Sequence, residues 1–151
     1  TMSQHEKMAW WALGSGILIW LFLLARFTEG GRIVELPADH ALDTYIQMIV
    51  LWIAASVVPA MFAAKHPPQT GKDERDRAIE ALGDRWEGYV VVIAINALIV
   101  HALARAVYSD RTPSVPMPDL SSTTELVFAL LTTLFLADAV KRAVVLWQYR
   151  R

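Results

Sequence analysis

The chain contains no cysteine. Without a thiol it cannot act as a thiol oxidoreductase, ligate an iron–sulfur cluster or attach a c-type haem. Charge is scarce as well, with Asp, Glu, Lys and Arg making up 19% of the 151 residues while 55% are hydrophobic. A soluble domain carries about a quarter charged residues. The formal net charge of -1 leaves no basic footprint for direct nucleic-acid binding. No H-E-x-x-H, phosphate-cradling glycine loop or nucleophile–base pair occurs, so no enzymatic activity is expected.

What is present is a set of long uncharged runs. No Asp, Glu, Lys or Arg occurs over Met8–Ala25, Thr44–Ala64 or Gly88–Ala104. Each run is close to the length, about 20 residues, with which an apolar α-helix crosses roughly 30 Å of hydrocarbon. A fourth run, Leu126–Ala137, is interrupted by Asp138 and reaches span length only when extended to Trp147. Its ionisable groups require neighbouring helices to pack against. The expected fold is an all-α integral membrane protein, an antiparallel four-transmembrane-helix bundle with spans at about 8–27, 44–64, 88–107 and 125–147. The first run ends at Ala25-Arg26-Phe27, a poor signal-cleavage site, and is expected to be a retained span.

Lys and Arg set the expected orientation. Ten of the 14 lie in the N-terminal segment, the stretch between spans 2 and 3, and the C-terminal end; Arg26, Arg32, Arg105 and Arg111 lie on the other side. Both termini should then be cytoplasmic, in a multi-pass protein of the bacterial inner membrane, with loops outside at about 27–43 and 108–125. Trp10, Trp11, Tyr45, Tyr89, Tyr108, Trp147 and Tyr149 fall near span ends, as an interfacial aromatic belt requires. Small residues recur every fourth position at Ala12 and Gly16, at Ser56, Ala60 and Ala64, and at Ala129, Thr133 and Ala137. Such faces let helices approach closely and support a compact antiparallel bundle; they are also compatible with a homo-oligomer. Pro59 deprives the Ala55 carbonyl of its helical donor.

Between spans 2 and 3, residues 73–87 have helical periodicity. Asp73, Asp76, Glu80, Asp84 and Glu87 fall within about 80° of one another, opposite Ala78, Ile79, Leu82 and Trp86. An amphipathic cytoplasmic helix is expected here, with Gly83 or Gly88 as the bend into span 3. The acidic stripe is either a solvated face or a docking surface for a protein partner, and those five acids are the candidate partner-binding residues.

The stretch D-E-R-D-R-A-I-E-A-L-G-D-R-W-E-G-Y and the ending L-A-D-A-V-K-R-A-V-V-L-W-Q-Y-R-R resemble small bacterial four-helix membrane proteins of a domain-of-unknown-function family, which have a D-E-R-x-x-x-I motif before the third span. The resemblance covers roughly Asp73 to Arg151, with spans 1 and 2 similar only in hydropathy. It implies the four-span fold and no activity. Such proteins are often encoded beside small helix-turn-helix regulators, which implies a membrane partner for a cytoplasmic repressor.

At about 1.5 Å per residue, Ser15, Ser56, Asn96 and Asp138 each come out about 10–14 Å below the cytoplasmic surface. They are the candidate intramembrane polar layer, with Asn96 donating to Asp138; alternatively Asp138 pairs with Arg142 one turn on. His101 has no second histidine at matching depth, so no haem or other cofactor is expected. Asp39, His40 and Asp43, with His101, are the candidate metal ligands; the two acids serve equally well as residues at a helix start.

Three functions are compatible with these features. The first is a non-enzymatic regulatory or anchoring protein of the lipid bilayer that binds a cytoplasmic or membrane protein through its cytoplasmic helix. The second is a small transporter or proton-coupled protein working through the polar layer around Asp138. The third is an accessory subunit of a larger membrane complex.

Overall fold

Apolar helices account for nearly every residue described by the computed structural model, which covers residues 4–65, 74–108 and 120–151. The elements are α1 (Gln4–Phe27), β1 (Thr28–Glu29), β2 (Arg32–Ile33), α2 (Ala38–Lys65), α3 (Glu74–Tyr108) and α4 (Thr123–Tyr149). All four helices are long and apolar enough to cross a membrane. Their outward faces carry large apolar side chains, among them Leu18, Trp52, Ile93 and Leu134. Exposed apolar surface on this scale belongs against lipid or another protein.

The expected outer loop at 27–43 is shorter and more ordered than its composition suggests. Thr28 Oγ1 donates to Leu24 O at 2.6 Å and closes the last turn of α1. Gly30 and Gly31 then take φ of +58° and +79°. Two consecutive positive φ values are what a two-residue type I′ hairpin turn requires, and glycine adopts them without steric cost. The turn pairs Thr28 with Ile33 and Glu29 with Arg32. The chain is next pinned to α4 by buried Thr124, whose hydroxyl accepts from Leu36 N at 3.2 Å and donates to Leu36 O at 3.3 Å. α2 begins at Ala38, well ahead of the span expected from Thr44.

Extensive packing joins α1 with α2, α1 with α4, and α3 with α4, so α1 and α4 are central and α2 and α3 flank them. One buried cluster joins Ile19, Leu23 and Phe27 of α1 to Met48 of α2, with Val127, Phe128, Leu131 and Phe135 of α4 against it. A second joins Ala9 of α1, Ile79 of α3, and Val145 and Leu146 of α4. The small-residue face of α4 lies inward, with Thr133 and Ala137 buried.

The structure corrects the expectation of a separate amphipathic helix at 73–87. From Glu74 that segment and span 3 form one continuous helix of 35 residues, with no break at Gly83 or Gly88. The physical reason is visible at Gly83. A Cβ there would sit 2.9 Å from Val145 Cγ2, 3.2 Å from Lys141 Cγ and 3.4 Å from the Lys141 carbonyl oxygen. Glycine serves close helix approach, the packing device of membrane helices. At about 52 Å, α3 is longer than the roughly 30 Å of a bilayer core.

Candidate functional site

Asp138 sits on the inward side of α4, across from Gly16 of α1. A Cβ built on Gly16 would lie 3.8 Å from Asp138 Oδ2. Oδ1 accepts from Arg142 Nε at 3.2 Å and lies 3.2 Å from Nη2 in the same ion pair. This is the i,i+4 pairing allowed by the sequence, with the guanidinium engaging one of the two carboxylate oxygens. Oδ2 accepts no hydrogen bond from the described residues.

Two pockets meet at this carboxylate. The larger, about 540 Å3, lies between α1, α2 and α4 and is walled by Trp11, Met48, Trp52, Leu131 and Phe135, with Ser15, Ser56, Asp138 and Arg142 as its polar groups. The smaller, about 240 Å3, lies on the other side of Gly16 between α1 and α4, with Trp20 and Thr132 in its wall. Trp20 Nε1 reaches Thr132 Oγ1 at 3.5 Å. A largely apolar cavity of several hundred Å3 with a few convergent polar groups is the usual form of a small-molecule site.

Of the expected polar layer, Ser15, Ser56 and Asp138 line this pocket and Asn96 does not. The hydroxyls do not coordinate Asp138. Ser15 Oγ donates to Ala12 O at 3.1 Å and Ser56 Oγ to Trp52 O at 2.8 Å, each within its own helix. Asn96 Nδ2 likewise donates to Val92 O at 2.8 Å, on an exposed face of α3. Depth along a span is readable from residue number, whereas rotation about the helix axis depends on which neighbour covers which face.

Pro59 leaves its mark on the pocket wall. The Ala55 carbonyl that it strips of a helical donor instead accepts from Trp11 Nε1 of α1 at 3.0 Å. The indole replaces the missing backbone N–H, as an uncompensated carbonyl in hydrocarbon requires. The orphaned acceptor is readable from the sequence, but no spacing rule identifies a donor on another helix.

The acidic stripe of α3 faces α4. Lys141 Nζ bridges Asp84 Oδ1 at 2.6 Å and Glu87 Oε2 at 2.9 Å, and Tyr149 Oη donates to Asp76 Oδ1 at 2.9 Å. Glu80 also has a partner within the chain. Asp73 lies outside the described residues. The stripe therefore acts, in good part, as a ladder that fastens the start of α3 to the end of α4. Its partners are not readable from the sequence, because Lys141 and Tyr149 come from the far end of the chain and meet the stripe only through helix packing.

The candidate metal ligands do not gather. His40 Nδ1 contacts Asp39 Oδ1 at 3.3 Å on the exposed first turn of α2. Asp43 accepts from Gln47 Nε2 at 2.7 Å, and Gln47 Oε1 accepts from Arg26 Nη2 at 3.1 Å, tying α2 to the end of α1. His101 is half-buried on α3. No group of three or more His, Asp or Glu among the described residues is placed to hold a metal ion.

Compared with family models, curated proteins and solved structures, the chain matches none.

Proposed function

We propose that the chain is a small, non-enzymatic, multi-pass protein of the bacterial inner membrane, an antiparallel four-span bundle with both termini cytoplasmic, that binds a small amphipathic solute at Asp138 and couples its passage or its binding to a proton. The Asp138 carboxylate carries this reading. It stands within the last apolar helix between two pockets, with Arg142 on one oxygen and the other without a donor among the described residues. An ionisable group held within a span at this cost is a functional candidate by default.

A solute with one hydroxyl or amine donor satisfies Oδ2 while its apolar body lies against Trp52, Leu131 and Phe135. When the solute leaves, a proton bound at Oδ2 takes the donor's place, the exchange on which proton-coupled carriers rely. The charge asymmetry of the loops and the D-E-R-x-x-x-I resemblance support the membrane, the orientation and a bacterial four-helix family. A protein-docking role for Asp76, Asp84 and Glu87 draws less support, because α4 already engages all three.

The test uses linear alkylamines and alcohols as probes, with Trp fluorescence for binding and a pH-sensitive dye in proteoliposomes for proton movement. Asp138→Asn should abolish the binding of donor-carrying probes and any proton flux while the protein elutes unchanged from a sizing column. Binding and flux equal to the parent protein would refute the proposal.

A further inference from the structure

We infer that α3 pairs in the membrane with α3 of a second copy of this chain, the two helices parallel and joined by a hydrogen-bonded pair of Asn96 carboxamides. The inference rests on α3 spanning the bilayer and is independent of what binds at Asp138.

Three observations converge. Asn96 lies at the centre of the uncharged run Gly88–Ala104, and so about 12 Å into the hydrocarbon from each side. Its side chain faces outward, with one Nδ2 hydrogen spent on Val92 O and no partner among the described residues for the other hydrogen or for Oδ1. A bare amide at that depth is costly, because hydrocarbon offers neither donor nor acceptor.

The surrounding face has the spacing of a helix–helix seam. Tyr89, Val92, Asn96, Ile99 and Leu103 follow steps of three and four, the heptad pattern of two helices that wrap around each other. All five are exposed, Val92 at 60% and Leu103 at 61%. On the helical wheel they lie opposite Val90, Ala94, Leu98 and His101, which are half-buried on the side facing α4. Tyr89 at the head of the seam is held edge-on by Trp86, with ring centroids 6.1 Å apart. α4 therefore covers one side of α3 and leaves the seam open.

The occupant follows from the chemistry of the amide. A carboxamide carries a donor and an acceptor and is its own complement across a two-fold axis, so an identical Asn96 at the same depth satisfies both remaining groups. A single Asn among apolar seam positions is the device that sets register and partner number in paired helices. A parallel pairing keeps the two asparagines level and places the two copies in one orientation in the bilayer.

Because the chain has no cysteine, single cysteines report the contact cleanly. Val92→Cys and Ile99→Cys, oxidised in native membranes, should form a disulfide-linked species of twice the 16.9 kDa chain mass, while Ala94→Cys and Ile95→Cys, off the seam, should not. Adding Asn96→Leu should lower the dimer association constant by about 5- to 30-fold, the range for polar contacts between spans in model peptides, and Asn96→Gln should retain most of it. Equal cross-linking at all four positions, or an adduct of another mass, overturns the inference. So does no cross-linking in protein that stays in carbonate-washed membranes, which would leave the membrane reading intact. Release of the protein by carbonate would overturn both.

Discussion

Replacing Gly83 with Ala tests the tight approach of α3 to α4. In an open helix interior Gly→Ala stabilises by about 1 kcal/mol, because glycine gives up more backbone freedom on folding. At Gly83 the new methyl would lie 2.9 Å from Val145 Cγ2 and 3.2 Å from Lys141 Cγ. Overpacking of this kind costs about 1–3 kcal/mol. The Lys141 carbonyl at 3.4 Å belongs to the α4 backbone and cannot rotate aside. The Val145 methyl is also hemmed in, since Val145 is buried among Ala9, Ile79 and Leu146. Gly88, further along the same helix, has nothing within 4 Å of its would-be Cβ. The propensity gain is common to both sites and cancels in the comparison. Gly88→Ala should therefore raise stability by about 1 kcal/mol, and Gly83→Ala should fall below it by about 1–3 kcal/mol. Unfolding of the purified protein in detergent, followed by helical circular dichroism during a denaturant titration, reads both values. A double-mutant cycle adds Val145→Ala, which removes the nearest obstruction; the pair should be coupled favourably by at least about 1 kcal/mol. If Gly83→Ala proved as stabilising as Gly88→Ala, the close packing of α3 on α4 would be wrong.

Three further outcomes follow from the geometry. Trp11→Phe should cost about 1–3 kcal/mol by leaving the Ala55 carbonyl unsatisfied, and Pro59→Ala should recover most of that loss because an alanine supplies the backbone N–H that proline lacks; absence of coupling in the same titration would refute the indole's capping role. Gly31→Ala should destabilise by about 1 kcal/mol or more, because its φ of +79° is poorly tolerated by a side chain, with faster amide exchange at Val34, whose N–H donates to Phe27 O; unchanged exchange would argue against the hairpin. Ser122 precedes α4, where Ser→Ala commonly costs about 1 kcal/mol. Here its hydroxyl makes no capping bond and is buried without a partner among the described residues, so Ser122→Ala should be within about 0.5 kcal/mol of neutral in thermal unfolding, and a full-sized loss would show that the cap is formed.

The four helices were legible because charge exclusion acts along the chain, and each uncharged run lies inside one helix. The fate of Pro59 was half legible: loss of a donor to Ala55 is local covalent logic, while the Trp11 replacement comes from tertiary packing. Glycine at position 83 permits both a hinge and a close approach, and only the facing Val145 and Lys141 distinguish them. The one-sided spacing of Asp76, Glu80, Asp84 and Glu87 is readable from the sequence, yet its meaning depends on Lys141 and Tyr149. The hairpin has a local signal in Thr28-Glu29-Gly30-Gly31-Arg32-Ile33, a Gly-Gly turn between residues suited to strands, but its strands are only two residues long. Asp138 and Arg142 were recognisable as a pair, but the pocket beside them was not, because it exists only where three helices leave space between them around Gly16 and Pro59.

The unbroken run of α3 has a mechanical meaning. A rod of about 52 Å cannot absorb a displacement in a hinge, so its two ends move as one body. Its length exceeds a bilayer core by about 20 Å, and a tilt of roughly 10° would move the tip of such an overhang by about 3.5 Å. The ladder from Asp76 to Glu87 binds the same tip to the end of α4, and less than one turn before Lys141 the α4 backbone carries Asp138. The carboxylate and one rung of the ladder thus lie within one turn of the same helix, and Lys141 joins that turn to the start of α3.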